Sequence, residues 1–233
     1  MKVAGAFARY LFIICLPLML LTGVIAAAVN STWLYTSGFE KYSVEQSLAD
    51  NGVNVTDADL AGIARSFIHY FNSNEEYVSL NIQPDIFNTE EIVHFHDVKS
   101  LFRFDYTVFL GTFAYCLIFT LIVFFRRKDT YRRILAGVTI KGSIVTLVMI
   151  FLVGIGTLVN FNQLFYDFHL LVFRNSFWSV EGNMLLLFPD GFWYDAAVYC
   201  VVAIGMLAVI LGGLAWFYLN YRRKSGKTMI PPG

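Results

Sequence analysis

Charge is what this sequence has least of. Lys, Arg, Asp and Glu together make up 15% of its 233 residues, against about 25% in an ordinary soluble domain. So few charges cannot clothe a water-exposed globule. Cysteine is scarce too: Cys15, Cys116 and Cys200 each lie inside an apolar run, and no C-x-x-C occurs. Neither a disulfide framework nor a cysteine metal knuckle is suggested. Every Lys/Arg cluster abuts an apolar segment, which leaves no basic stretch suited to nucleic acid. G-x-S-x-G, H-E-x-x-H, a Walker loop and G-x-G-x-x-G are all missing. With them go the usual frames of a serine hydrolase, a zinc protease and a nucleotide site.

What the chain does have is apolar bulk: 57% hydrophobic residues, 17% aromatic and a mean hydropathy of +0.60. That places it among polytopic membrane proteins. Apolar runs at 10–29, 104–125, 134–159 and 196–218 are each long enough to cross a hydrocarbon core of about 30 Å. The first, with Ala26-Ala27-Ala28 at its end, competes with a cleavable signal. It is longer than the roughly 7–15 apolar residues of a signal peptide, and is read as a retained span.

The basic residues orient these spans. Twelve of the 17 lie on one side: Lys2, Arg9, Arg126, Arg127, Lys128, Arg132, Arg133, Lys141, Arg222, Arg223, Lys224 and Lys227. Of the 17 acids only Asp129 joins them. The positive-inside rule then puts both termini in the cytoplasm. The expected fold is an all-α membrane protein with four transmembrane helices and a small extracytoplasmic α(+β) cap. In order these are a flank and first helix (1–29), the cap (30–102), helices two and three with a basic loop (103–159), an extracytoplasmic or interfacial segment (160–195), and a fourth helix with a basic tail (196–233).

Within the cap, Thr56 followed by Asp57 and Asp59 reads as a helix start. Leu60, Ile63, Ala64, Phe67, Ile68 and Phe71 then form one apolar stripe at helical spacing. Val78, Leu80 and Ile82 alternate like a strand, while Asn51-Gly52 and Gln83-Pro84-Asp85 are turn chemistry.

Four histidines are candidates for chemistry: His69, His94, His96 and His169. His69 sits on or beside the helical stripe and reads as structural. His94 and Asp97 share a face if their run is helical, and His94 and His96 share one if it is extended. A carboxylate beside an imidazole fixes its tautomer and raises its basicity, which suits a general base. His169 stands among aromatic residues, with Phe165 and Phe173 four positions to either side and Arg174 and Asn175 following. Arg174 and Asn175 supply donors for a phosphate or a developing oxyanion. Polar tips in an interfacial aromatic belt explain the same pattern. His94, His96, Asp97 and His169 also have metal-ligand chemistry, though spacing does not bring them together.

Two runs carry a resemblance. Phe87-Asn88-x-x-Glu91-Ile92-x-His94-x-x-Asp97-Val98-Lys99-x-Leu101-Phe102 is the first. The second is Phe168-His169-x-x-x-Phe173-x-Asn175-x-x-Trp178, continuing to Pro189, Phe192 and Asp195. Both look like signatures of the bacterial lipoprotein intramolecular transacylase family, and the similarity extends over essentially the whole chain. The resemblance implies a cytoplasmic-membrane acyltransferase with its active site on the extracytoplasmic face. Its substrate is a diacylated lipoprotein, whose sn-2 acyl chain moves to the α-amine of the N-terminal cysteine. His94 and His169 fall on the family's histidines, Asp97 and Asn175 on supporting positions, with Lys99 and Trp178 as candidate substrate contacts. His96 occupies a position not expected to be histidine. No cofactor or metal is implied; the partners are lipoproteins and membrane lipid. Two other readings stay open on the residues: a non-enzymatic lipid- or protein-binding membrane protein, and a metal-dependent hydrolase using His94, His96 and His169.

Overall fold

The computed structural model describes residues 2–74, 86–126 and 129–227. Eight α-helices carry these residues: α1 (Lys2–Val29), α2 (Thr32–Lys41), α3 (Val44–Asp50), α4 (Asp57–Asn72), α5 (Thr89–Phe125), α6 (Asp129–Val172), α7 (Asn183–Leu187) and α8 (Asp190–Lys227), with a 3₁₀ turn at Phe177–Ser179. Four of them, α1, α5, α6 and α8, are long and apolar enough to cross a membrane. No strand occurs among the described residues. The strand expected around Val78, Leu80 and Ile82, and the Gln83-Pro84-Asp85 turn, lie outside them, as do Arg127 and Lys128.

The long helices outrun the apolar segments that announce them. α5 begins at Thr89 and not near 104, and α8 starts at Asp190 and not near 196; α6 runs on to Val172, but its backbone breaks at Asn160, where the apolar run 134–159 ends. Composition marks where side chains turn polar; a helix ends where its backbone is capped. At the start of α5, Asn88 Oδ1 accepts from the Glu91 amide at 2.9 Å and the Asn88 amide donates to Glu91 Oε2 at 2.7 Å. This reciprocal capping box satisfies two amides that the first turn leaves open. α6 is broken inside, at Asn160, whose φ of −157° and ψ of 83° are not helical. The Asn160 side chain caps the following turn, its Oδ1 accepting from the Gln163 amide at 3.0 Å. Gly154 and Gly156, whose small size could either loosen this helix or let it pack closely, lie within it before the break.

The chain divides into two compact units. One comprises residues 1–24, 106–153 and 201–233. Inside it small residues allow close packing, as expected of helices in lipid: a Cβ at Gly142 would meet Leu16, and one at Gly212 would meet Ser143. Asp129 accepts from Arg133 at 2.9 Å and from Arg222 at 2.6 Å, tying the start of α6 to the end of α8.

The other unit comprises 25–105 and 154–200, so the two segments read above as a cap and an interfacial stretch form one body. Its core is aromatic. Tyr35, Phe39, Phe67, Phe71, Phe95, Phe188 and Phe192 are all buried. Phe67 touches Phe95 at 5.0 Å and Phe188 at 5.2 Å between ring centroids, both edge-on. Each such ring contributes about 1.5–3 kcal/mol by leaving water. The stripe on α4 behaves as its spacing predicts: Leu60, Ile63, Ala64, Phe67 and Phe71 are buried, with Ile68 partly so. Its N-terminus carries a capping box between Thr56 and Asp59. The Thr56 hydroxyl and backbone amide together hold the Asp59 carboxyl below its usual range. Gly38 is required where α2 meets Phe192, since a Cβ there would collide with that ring. Asn51-Gly52 is the expected turn, with Gly52 at a φ of +83°.

Replacing Asn160 by Ala removes the cap at the break in α6. The expected loss is about 1 kcal/mol, measured as a lower midpoint of thermal unfolding in detergent.

Candidate active site

His94 lies on the second turn of α5, and His169 near the end of α6. Each is 6% exposed, and their ring centroids are 6.2 Å apart with planes inclined by 33°. Between and around them stand aromatic edges: Phe173 is 5.0 Å from His94 and 5.4 Å from His169. Phe165 lies 4.2 Å and Trp178 4.7 Å from His169. The two histidine runs, 75 positions apart in the chain, therefore face each other within one unit.

The ring of His169 is held by a hydrogen bond. Its Nδ1 lies 2.7 Å from the Phe165 carbonyl oxygen. A carbonyl only accepts, so Nδ1 carries the proton and the lone pair of the neutral ring is on Nε2. Nδ1 of His94 is different: it is buried with no hydrogen-bond partner among the described residues. The same is true of the indole Nε1 of Trp178.

Asp97 shares a face of α5 with His94, as their spacing requires of a helix, and it also meets Asn175. The Asn175 amide donates to Asp97 Oδ2 at 2.8 Å, and its oxygen accepts from the Phe177 backbone at 3.1 Å. The hydrogen bond seen on Asp97 thus comes from the loop after α6 and not from an imidazole. An open cleft of about 300 Å³ adjoins this pair, lined by Asp97, Ser100, Leu101, Val172, Phe173, Arg174 and Asn175.

Other candidates fall elsewhere. His96 is exposed on α5. Two residues along a helix are rotated by about 200°, so the extended alternative in which His94 and His96 share a face does not hold. Among the described residues, no group of three or more His, Cys, Asp or Glu side chains could hold a metal ion. Lys99 is only 2% exposed, with its ammonium 4.0 Å from the centre of the Tyr70 ring, a cation–π contact with the core of the same unit. His69 is exposed on α4.

Sequence reasoning assigned no role to Glu91. It is 1% exposed. Besides capping α5 at Asn88, its Oε1 accepts from the Met184 amide at 2.6 Å, at the start of α7. A Cβ on Gly182 would strike this carboxylate, which explains the glycine. Asn88-x-x-Glu91 was a readable capping signal; the bond to Met184, 93 residues away, had no local trace.

The family model described as lipoprotein intramolecular transacylase Lit matches residues 10–193. The chain belongs to the Lit family. Its fold is similar to that of the membrane-integral Lit of Bacillus cereus solved in meso, with a TM-score of 0.82 at 19% identity, covering 96% of this chain and 100% of that one. Structures of that protein with a histidine replaced by alanine or by arginine are similar as well. Their TM-scores are 0.76 and 0.72 at 17% and 20% identity, each over 96% of this chain and 97% of the other. A search of curated proteins finds no match. Membership of the Lit family agrees with the resemblance of the two histidine runs.

Replacing Asn175 by Asp sets two carboxylates against each other and should lower both stability and activity, by about 1–3 kcal/mol for the former. The double variant D97N/N175D re-forms the bond in the opposite sense and should recover most of the loss, as read by thermal unfolding. Glu91→Gln should destabilise nearly as much as Glu91→Ala, because the carboxamide nitrogen would face a backbone N–H.

Proposed function

We propose that the protein moves the sn-2 acyl chain of a diacylglyceryl lipoprotein to the α-amine of that lipoprotein's N-terminal cysteine, giving the N-acylated lyso form. The observation that carries this reading is the buried His94–His169 pair, 6.2 Å apart, in a chain of the Lit family.

The reaction needs a proton removed from the amine, a tetrahedral oxyanion stabilised and a proton given to the departing oxygen. His169 is the base. Its Nδ1–H stays on the Phe165 carbonyl in both the neutral and the cationic ring, leaving Nε2 to receive the amine proton. The amine nitrogen then bonds to the ester carbonyl carbon, and the carbonyl pair moves to oxygen. On collapse the bond to the sn-2 oxygen breaks, and that oxygen takes the proton the pair has gained. His94 faces the departing oxygen from the other side. Over one turnover the pair is unchanged and no co-reactant is consumed. Donor and acceptor belong to one molecule, so the protein's main contribution is to hold them in a near-attack arrangement. Asp97 and Asn175 support the site by fixing the loop that carries Phe173 and Trp178.

The distribution of Lys and Arg supports both termini in the cytoplasm. It also supports residues 30–102 and 160–195 on the outer face of the bacterial cytoplasmic membrane, where a lipoprotein's headgroup and amine reside. Residues 103–159 and 196–233 then supply the remaining spans with their basic loop and tail. The acyl chains stay in lipid or among the helices, and the partners are diacylated lipoproteins and membrane lipid.

The transfer is an isomerisation, so intact mass does not report it. Tandem mass spectrometry of lipoprotein N-termini, from bacteria with and without this protein, should show one acyl chain moved from glycerol to the amine. Fragments identical in both strains would sink the proposal. His94→Ala and His169→Ala should each cut the rate at least about 100-fold, with His96→Ala close to wild type.

A further inference from the structure

The indole of Trp178 is placed in a way that packing alone does not explain. Its ring lies against His169, with centroids 4.7 Å apart and planes inclined by 36°. Tyr166 packs against it as well, with centroids 5.4 Å apart and planes inclined by 74°. Nε1 is buried and no described residue accepts its hydrogen. A buried indole N–H normally finds an acceptor, and a donor left open in apolar surroundings is unfavourable. A bicyclic ring of the same shape without the N–H would supply the same flat contact without that penalty.

The backbone under Trp178 is fixed rather than loose. The Phe177 amide donates to Asn175 Oδ1 at 3.1 Å, the same Asn175 that holds Asp97 at 2.8 Å. The Ser179 amide and hydroxyl both donate to the Ser176 carbonyl, at 3.1 and 2.9 Å. A rigid turn thus presents an unsatisfied donor beside the ring that takes the proton. An oxyanion hole requires this combination: a fixed donor, shielded from water, near the base, with no partner until charge develops.

We propose that Trp178 is a catalytic residue whose indole N–H donates to the ester carbonyl oxygen of the substrate, most strongly when that oxygen carries the negative charge of the tetrahedral intermediate. The proposal rests on the transacylase reading above and adds the oxyanion donor to it. As the amine nitrogen bonds to the carbonyl carbon, the carbonyl pair moves onto the oxygen facing Nε1. When the C=O re-forms and the sn-2 C–O bond breaks, that charge leaves the oxygen and the indole keeps its hydrogen throughout. His169 handles the proton; Trp178 handles the charge.

The test compares two variants of the full-length protein in lipid, acting on a synthetic diacylglyceryl-cysteinyl peptide. Trp178→Phe retains a ring, and replacement of Trp178 by benzothienylalanine retains the bicyclic shape with sulfur in place of N–H. Both should lower kcat by about 100- to 1000-fold with little change in KM. The sulfur isostere should unfold no lower than wild type, since it removes an unpaired buried donor and keeps the shape; Trp178→Phe also leaves a cavity and should unfold somewhat lower, so its kcat is read well below its own midpoint. Wild-type kcat in either variant overturns the proposal. A low kcat in the Phe variant together with full activity in the sulfur isostere also overturns it, since shape alone is then what the site uses. A wild-type protein that leaves the peptide unchanged overturns the transacylase reading itself, and this inference with it.

Discussion

The site depends on one hydrogen bond between side chains 78 residues apart, from Asn175 to Asp97 at 2.8 Å. His94 is one helical turn before Asp97, and His169 is on the last turns of α6, whose end at Val172 is followed directly by the loop that carries Asn175. Joining the two supporting residues therefore sets the approach of the two rings. Asn175 is engaged at both ends, donating to Asp97 and accepting from the Phe177 amide, so the turn bearing Trp178 is located by the same side chain. The pair is partly buried beside an open cleft, and loss of Asn175 leaves the Asp97 carboxyl without its donor.

That bond can form only because the helices do not stop where their apolar runs stop. α5 starts at Thr89 through the Asn88–Glu91 capping box, which adds the turns carrying His94 and Asp97. The same Glu91 reaches the Met184 amide, so the start of α5 and the start of α7 share one carboxylate. Around them the aromatic core fixes the frame: α2, α4, the first turns of α5 and the segment 184–192 all contribute rings or aliphatic side chains to it. Rigid packing of this kind suits a reaction whose catalytic demand is mostly orientation.

The parts of this arrangement legible in the sequence were those set by near neighbours. The stripe on α4 was readable because its spacing and its Thr56 cap pointed the same way, and the core received the faces expected. Four apolar helices followed from composition. The starts of α5 and α8 did not, because polarity and backbone capping are different physical quantities, whereas the end of the third apolar run at 159 coincides with the break in α6 at Asn160. His94 and Asp97 share a face of α5, as their spacing requires of a helix, and the Asp97 charge acts on the His94 ring; the bond from Asn175 to Asp97 is the part that no spacing rule could see. The pairing of His94 with His96 failed, since it depended on an extended backbone and the run is helical. Convergence of His94 and His169 lay beyond periodicity altogether; the distribution of Lys and Arg put both runs on one face, and the resemblance of two separated runs paired them.

Two polar atoms at the site, Nδ1 of His94 and Nε1 of Trp178, lack a protein partner among the described residues, and stability alone argues against keeping them. Each could be replaced by an apolar atom of similar shape with no loss of packing, and an unpaired buried donor or acceptor costs about 1–3 kcal/mol. Their positions remove the puzzle: both rings lie close to His169, at 6.2 and 4.7 Å. A site that satisfied these atoms internally would have spent its hydrogen bonds before substrate arrived. One that leaves them open binds a reacting ester more tightly as its charge grows, which is the condition for lowering a barrier rather than merely holding a substrate. Under the proposed reaction, the instability of the empty site and the stabilisation of the transition state are the same interaction, absent in one state and present in the other.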